Sequence, residues 1–408
     1  MYKRQTYNFK CSYIGFNTDL KAEIQLTPNK NLRLDFALTE NAQIIDEVQV
    51  TANTFNKTKE SPTSLRTINA SEILRSPGGN RDISKVIANL PGVSSSPSFR
   101  NDIVIRGGAP NENRFFLDGV EIPNINHFAT QGSSGGPVGI LNVNFIREVD
   151  FYSGAFPANR GNALSSVMEL KQINGSDEDF SASFMVGSSD AGLTINTPLS
   201  EKSSLLLSAR RSYLQFLFKA LQLPFLPTYN DIQLKYTFNP NPKNQFNVIG
   251  LAAIDNFNLN PDANEGIDDP QKLAQNEYTL NNLPINEQWN YSLGGTWKRF
   301  FDNSNLLVVM SRSHLNNTAI KYQDYADLYS PKIIDYESQE IENKSRIEYN
   351  FRENNIKFNV GLNLEDATYL NSTQRILTSE ESIYTKLVET DLHFCLLYTS
   401  PSPRDLYR

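Results

Sequence analysis

Ile103-Val104-Ile105-Arg106-Gly107-Gly108, followed by Asn113-Arg114-Phe115-Phe116-Leu117-Asp118-Gly119-Val120-Glu121-Ile122-Pro123, decides how this sequence folds. Ile103 to Ile105 is a short apolar run of β-branched residues, which reads as a strand. It stops at two glycines, and glycine permits tight backbone turns. The second segment repeats the logic: an apolar strand through Leu117 meets Asp118-Gly119, a pair suited to a hairpin-type turn. Arg106 and Asp118 then have two readings. They serve only as turn residues, or they also hold distant groups together by charge.

Working outward, residues 81–90 place Ile83, Val86, Ile87 and Leu90 at helical spacing, and Pro91-Gly92 stops the helix. Proline lacks the donor a helix needs and glycine accepts left-handed backbone. Residues 141–149 and 163–171 are further strand candidates, so residues 65–174 read as mixed helix and strand. After Gly175 a period of two takes over. In residues 230–238, Ile232, Leu234, Tyr236 and Phe238 share one face, while Asp231, Gln233, Lys235 and Thr237 share the other. A strand between lipid and a watery lumen needs that pattern. Leu205, Leu207, Ala209 and Tyr213 oppose Ser208, Arg210 and Ser212; Tyr291, Leu293 and Trp297 oppose Ser292, Thr296 and Lys298. Ile347, Tyr349 and Phe351 pass through Arg352-Glu353-Asn354-Asn355 to Phe358, Val360, Leu362 and Leu364, a hairpin. Short turns at 239–244 and 302–305 contrast with a long acidic connection at 255–286. Outer-membrane barrels combine tight inner turns with long outer loops. About ten strands are expected on hairpin spacing.

The quoted stretch resembles the plug signature of TonB-dependent outer-membrane receptors. The resemblance extends to Ile83-Ser84-Lys85-Val86-Ile87-Ala88-Asn89-Leu90-Pro91-Gly92-Val93, similar to the plug's early helix, and to residues 146–171, similar to its closing strands, with Gly154, Arg160 and Gly161 at family positions. It implies an α+β plug domain followed by an antiparallel transmembrane β-barrel, incomplete at about ten strands where the family uses roughly 22. Arg106, Gly107, Gly108, Arg114, Asp118, Gly119, Gly154, Arg160 and Gly161 are the plug-motif residues so implied, with Arg106 suited to holding carbonyls or carboxylates together inside the barrel. Upstream, Ala22, Ile24 and Leu26, then Leu32, Leu34, Phe36 and Leu38, alternate like strands of a small β-sandwich. The junction Asp46-Glu47-Val48-Gln49-Val50-Thr51-Ala52 resembles the one joining a carboxypeptidase-regulatory-like domain to the plug in one branch of the family. Two readings fit it: a TonB box, which adds as a strand to a partner's sheet edge, or the last strand of the sandwich. The expected organisation is a remnant sandwich at 6–52, a linker at 53–64, the plug at 65–174, the first part of the barrel at 175–394 and a non-native tail at 395–408.

Composition sets the exclusions. Against 38 Lys plus Arg stand 45 Asp plus Glu, a net charge of -7, so a nucleic-acid partner is not expected. No apolar run reaches the roughly 18 residues of a membrane helix, but a membrane strand needs only about 9 to 11 with alternate residues apolar. Cys11 and Cys395 form neither a disulfide framework nor a metal cluster. A signal peptide is expected in such a protein, whereas Met1 to Gln5 run directly into strand-like sequence. Those residues, and Cys395 to Arg408, where the alternation breaks, resemble adapter read-through, so the chain is expected to be a fragment with an open sheet edge. His127, His314 and His393 lack a second ligand at metal spacing. His127, after Asn124 and Asn126, belongs to a loop expected to face outward, and these three residues are the candidates for ligand binding. Asp262, Asn264, Asp268 and Asp269 miss the EF-hand spacing and read as a hydrated loop. Tyr278, Trp289, Tyr291, Trp297 and Phe300 suit an interfacial girdle. No catalytic set, phosphate loop, cofactor or metal site is expected. The resemblance implies a receptor in the outer membrane of a Gram-negative bacterium, in contact with lipid, that binds an extracellular ligand and imports it when the inner-membrane TonB complex moves the plug. The alternative is a non-transporting surface receptor or adhesin on the same platform.

Overall fold

The computed structural model describes residues 5–12, 19–26, 34, 36, 64–79, 82–95, 100–131, 133, 135–157, 159–187, 189–353, 356–378 and 383–403. The chain divides into two compact units, Met1–Pro62 and Thr63–Arg408. In the first, β1 (Gln5–Cys11) and β2 (Asp19–Leu26) pair antiparallel from Gln5↔Leu26 to Cys11↔Asp19. Ala22, Ile24 and Leu26 lie on β2 as their alternation predicts. Of the next alternation only Leu34 and Phe36 are described, neither in a strand, and the Lys21 ammonium sits 5.0 Å over the Phe36 ring. Residues 46–52 and the linker up to 63 lie outside the described residues.

The second unit opens with β3 (Leu65–Asn69), α1 (Ala70–Arg75), α2 (Ile83–Ala88), β4 (Val93–Ser95), β5 (Ile103–Ile105), β6 (Asn113–Leu117), β7 (Val120–Ile122), β8 (Ile146–Tyr152) and β9 (Ser166–Gln172). Five of these strands make one sheet in the order β3-β8-β9-β6-β7, in which only β6 and β9 run parallel. Asp82 caps α2 by accepting from the Ser84 N–H at 2.8 Å, and Gly92, at φ +81, ends the turn after it. Leu117 pairs with Val120 across Asp118 (φ +47) and Gly119 (φ +88). Positive φ at both central residues is the hairpin geometry that the Asp-Gly pair predicts. Ile68, Ile87, Phe115, Leu117, Met168 and Leu170 close the core between sheet and helices. The strand expected at 141–149 starts only at Ile146. The Asn142 side chain accepts from the Asn144 N–H, and a 3-10 turn forms over Val143–Phe145 instead. Such local side-chain bonds compete with strand pairing.

The ten-stranded sheet follows in chain order, antiparallel throughout: β10 (Ser181–Val186), β11 (Asp190–Ser200), β12 (Ser203–Ser212), β13 (Phe225–Asn241), β14 (Asn244–Leu259), β15 (Ile285–Phe300), β16 (Ser304–Tyr322), β17 (Lys332–Glu353), β18 (Ile356–Thr378) and β19 (Ile383–Pro403). It curves around the plug, touching it from Thr194 on β11 to Tyr398 on β19. The alternation holds: Asp231, Gln233, Lys235 and Thr237 are buried toward the plug while Ile232 points away. Three details differ from the pattern. Tyr213 leaves its strand and precedes α3 (Leu214–Ala220). The long connection is shorter than its polarity suggests, because β14 runs to Leu259, β15 begins at Ile285, and α4 (Pro270–Asn282) fills the interval under an Asp269 cap. Finally β19 passes through Cys395 to Pro403, beyond the point where alternation stops, since pairing with β18 needs backbone groups only.

Candidate functional site between plug and wall

After β7 the chain makes a narrow loop whose two sides bond to each other. His127 N–H donates to the Val138 carbonyl, and Gly136 N–H donates back to that of His127, each at 2.8 Å. A Cβ on Gly135, at φ +125, would lie 2.5 Å from that of Asn126, so only glycine allows the sides to close. Asn126 is pinned on the plug side, accepting from Ser84 Oγ at 2.6 Å and donating to Gly136 O at 2.9 Å. Asn124 Nδ2 donates to the Asn126 carbonyl at 3.4 Å. The expectation that Asn124, Asn126 and His127 face outward is corrected here: all three are buried, because the loop is pressed against the wall.

His127 meets the wall through carboxylates on both ring nitrogens. Nδ1 lies 2.6 Å from Asp255 Oδ1 on β14 and Nε2 lies 2.9 Å from Asp231 Oδ2 on β13. The three side chains are 0%, 1% and 3% exposed. The other Asp255 oxygen accepts from the Phe128 N–H at 2.6 Å. Arg210 on β12 donates to Asp231 at 2.8 Å and to the Gly139 carbonyl at 2.5 Å. Tyr229 packs its ring 4.5 Å from that of His127 and donates its hydroxyl to Asp190 at 2.5 Å. Burial alone would lower the imidazole pKa, but the Asp255 charge and the hydrogen bonds to both carboxylates outweigh it and raise it above 6.5.

A second polar group joins the family-motif residues to β17. Glu348 accepts from plug Arg160 at 3.2 Å and pairs with wall Arg346 at 2.6 Å, while Arg160 also bonds plug Glu169 at 2.8 Å. The two guanidinium carbons lie 4.7 Å and 5.7 Å from the Phe116 ring centre. Glu121 on β7 pairs with Lys344 at 2.8 Å and with Arg114 at 3.3 Å. Burial would raise the Glu121 pKa, but Lys344 and Arg114 overcome this and lower it. Arg114 Nε also donates to the Asn162 carbonyl at 2.8 Å. Asp118 accepts from the Gln172 N–H at 2.9 Å and pairs with Lys235 of β13, also at 2.9 Å.

Arg106 is exposed, at φ +51 next to Gly107 at φ +81, the backbone of a turn, and its side chain lies along Gly92 and Gly154. Gly108 and Gly161 are close approaches: an added Cβ would strike Ser165 Oγ in the first case and the Tyr398 ring, at 2.8 Å, in the second. His314 bonds Gln339 at 3.1 Å and His393 bonds Asp366 at 2.6 Å. Sequence reasoning did not single out the wall partners Asp255, Lys344, Arg346 and Glu348. The signal was present, since Glu340, Glu342, Lys344, Arg346 and Glu348 place five charges at every second position of one strand.

Residues 57–167 match the family model described as TonB-dependent Receptor Plug Domain. Compared with curated proteins by sequence, the chain has no match. Among solved structures, the copper transporter OprC superposes with a TM-score of 0.58 at 9% identity, over 83% of this chain and 51% of that one. FpvA of P. aeruginosa, bound to a pyoverdine–iron complex, gives 0.56 at 12% identity, over 83% and 49%. The ferric enterobactin receptor PfeA of Pseudomonas aeruginosa, a mutant form, gives 0.53 at 13% identity, over 82% and 58%. The chain thus spans about half the length of these receptors. It carries a TonB-dependent receptor plug, seated against ten antiparallel strands that have the fold of the TonB-dependent receptor barrel.

Proposed function

We propose that this chain is the plug and part of the wall of an outer-membrane receptor that binds an extracellular ligand and imports it when an inner-membrane TonB complex moves the plug. The observation that carries the reading is the character of the seat. The plug's core runs on into the wall at Ile249, Leu251, Ala253 and Val309, and around that apolar patch the plug is held by hydrogen bonds and ion pairs from strand after strand. Water can replace such bonds as the plug moves, at a net cost of about 0.5 to 1.5 kcal/mol for a neutral pair and about 1.5 to 3 kcal/mol where a charged group takes part. An interface wholly of interlocked apolar side chains would resist that movement more strongly.

The outer face supports a bilayer setting. Ile232, Ile254 and Leu293 are 53%, 54% and 53% exposed there. Trp289 and Trp297 share that face of β15, about 26 Å apart along the strand at about 3.3 Å per residue, which at the usual tilt of about 40° is about 20 Å of height, within the roughly 25 Å apolar band of such barrels. Trp289 stacks with Tyr291, and Trp297 with Phe246. Tyr278, on α4, stands apart from this girdle. The similar structures are a copper transporter, a receptor bound to a pyoverdine–iron complex and a ferric enterobactin receptor, so the shared fold does not name a cargo.

The test uses the full-length receptor in cells supplied with a panel of labelled ferric chelates and copper complexes. Deleting Asp46-Glu47-Val48-Gln49-Val50-Thr51-Ala52 is expected to abolish uptake and leave surface binding intact. A disulfide between cysteines at 142 and 208, where Asn142 Nδ2 now donates to Ser208 Oγ at 2.8 Å, is expected to block uptake until reduced. Uptake unchanged in both variants would leave the non-transporting receptor as the correct reading.

A further inference from the structure

We propose that seating the plug is coupled to one proton, held on His127 while the plug is seated and given up when it withdraws. Both ring nitrogens of His127 lie within hydrogen-bond distance of carboxylate oxygens, Asp255 at 2.6 Å and Asp231 at 2.9 Å. An ionised carboxylate only accepts, and neutral imidazole has a single N–H. In the neutral ring one of these contacts would set a lone pair against a carboxylate oxygen, in a site closed to water. With both carboxylates ionised, the two contacts are satisfied together only by the imidazolium, which donates from each nitrogen.

The surrounding charges favour the same state. The groups facing the ring are Asp255 from β14, Asp231 and Tyr229 from β13, Arg210 from β12 beyond Asp231, and Asp190 from β11 beyond Tyr229. On the plug side, Asp82 stands behind Asn126, bonded to the Ser84 N–H. With His127 charged, two cations answer the three carboxylates Asp190, Asp231 and Asp255; without the proton, Arg210 stands alone. The raised imidazole pKa agrees in direction. Withdrawal parts His127 from both carboxylates and hydrates it, so its affinity for the proton falls toward that of a free histidine and the proton passes to water. A group with a raised pKa in the seated state stabilises that state fully below the free value of 6.5, and the contribution is lost as pH rises through the seated value.

This inference rests on the plug being a movable part, as proposed above, but its first measurement does not depend on transport. In full-length receptor labelled with ¹⁵N-histidine, the signals that disappear in His127→Gln are expected to show both ring nitrogens protonated at pH 7.5. A single protonated nitrogen there would overturn the proposal. The second measurement is amide hydrogen exchange over residues 124–140, corrected for intrinsic rates. Protection is expected to fall at least tenfold between pH 7 and the top of the stability range in the wild type and to stay flat in His127→Gln. The same fall in both proteins would overturn the coupling. Should His127→Gln fail to assemble, the His127 ring signal is assigned by elimination instead, substituting the receptor's other histidines one at a time, exposed His393 and outward His314 among them, and the wild-type titration still decides. Failure of the uptake experiment with an intact imidazolium would refute transport alone.

Discussion

Arg346 of β17 donates from Nη2 to the carbonyl oxygen of Gly119 at 2.9 Å, so the wall grips the plug's Asp-Gly turn by its backbone. Gly119 sits at φ +88, and a Cβ there would come 3.4 Å from the same nitrogen. Gly119→Ala is therefore expected to destabilise the seated plug by about 1 to 2 kcal/mol, the usual cost of left-handed backbone in a residue with a Cβ. Gly119→Asn is expected to cost less, because asparagine tolerates this region better. Thermal melts of the full-length receptor in detergent check the order; equal melting temperatures for Gly119→Ala and wild type would refute it.

Glu348 is the only carboxylate that Arg160 and Arg346 share among the described residues. Removing it in Glu348→Ala leaves two guanidinium groups buried beside Phe116 without that counter-charge. Breaking one partner of a buried pair costs about 3 to 5 kcal/mol, whereas replacing the whole group by apolar residues can be neutral. Denaturant melts are thus expected to rank Glu348→Ala well below wild type, with Glu348→Leu combined with Arg160→Met, Arg346→Met and Glu169→Leu recovering most of the loss, since Glu169 is the other carboxylate on Arg160. A quadruple variant no better than Glu348→Ala would contradict this account.

The third prediction concerns a bare spot in the wall. A Cβ on Gly294 of β15 would lie 2.6 Å from both methyls of Val120, the first residue after the plug turn. Gly294→Ala overpacks this contact, an effect of about 1 to 3 kcal/mol. Val120→Ala should restore the fit, so the two substitutions are expected to be strongly non-additive in a double-mutant cycle. Simple addition of the two losses would show that the contact is looser than the structure has it.

These contacts mark where sequence reading succeeds and stops. The Asp118-Gly119 turn, the stop at Pro91-Gly92 and the two faces of β13 follow from local rules: left-handed backbone, a missing donor and a period of two. The same period placed Asp231 and Arg210 on the polar face. It carried no information about what that face touches, because His127 and Asp255 are 128 positions apart and meet only when the plug is inside the wall. Polarity misled for the same reason. Asn124, Asn126 and His127 read as an outward-facing loop, yet Asn126 bonds Ser84 and Gly136, His127 bonds two wall carboxylates, and Asn124 donates to the Asn126 carbonyl. Arg106, which had both a clamp and a turn reading, stands at positive φ beside Gly107, as the turn reading has it.

Acid and alkali are expected to loosen the plug by different residues. Glu121 has its pKa lowered, since Lys344 at 2.8 Å and Arg114 at 3.3 Å overcome its burial. A lowered carboxylate stabilises the seated form fully above its ordinary 4.5 and loses that contribution as pH falls through the seated value. His127 behaves oppositely, stabilising in acid and failing as pH rises. Plug retention, followed by limited proteolysis of the full-length receptor across pH, should therefore pass through a plateau with a shoulder on each side. Glu121→Gln removes the acid dependence assigned to this pair and spares the alkaline one, and His127→Gln does the reverse. Since Glu121 reaches β17 while His127 reaches β13 and β14, the two sites share no partner and their effects should add when the substitutions are combined. A profile in which either substitution removes both shoulders would mean that the plug is released as one unit from a single controlling contact.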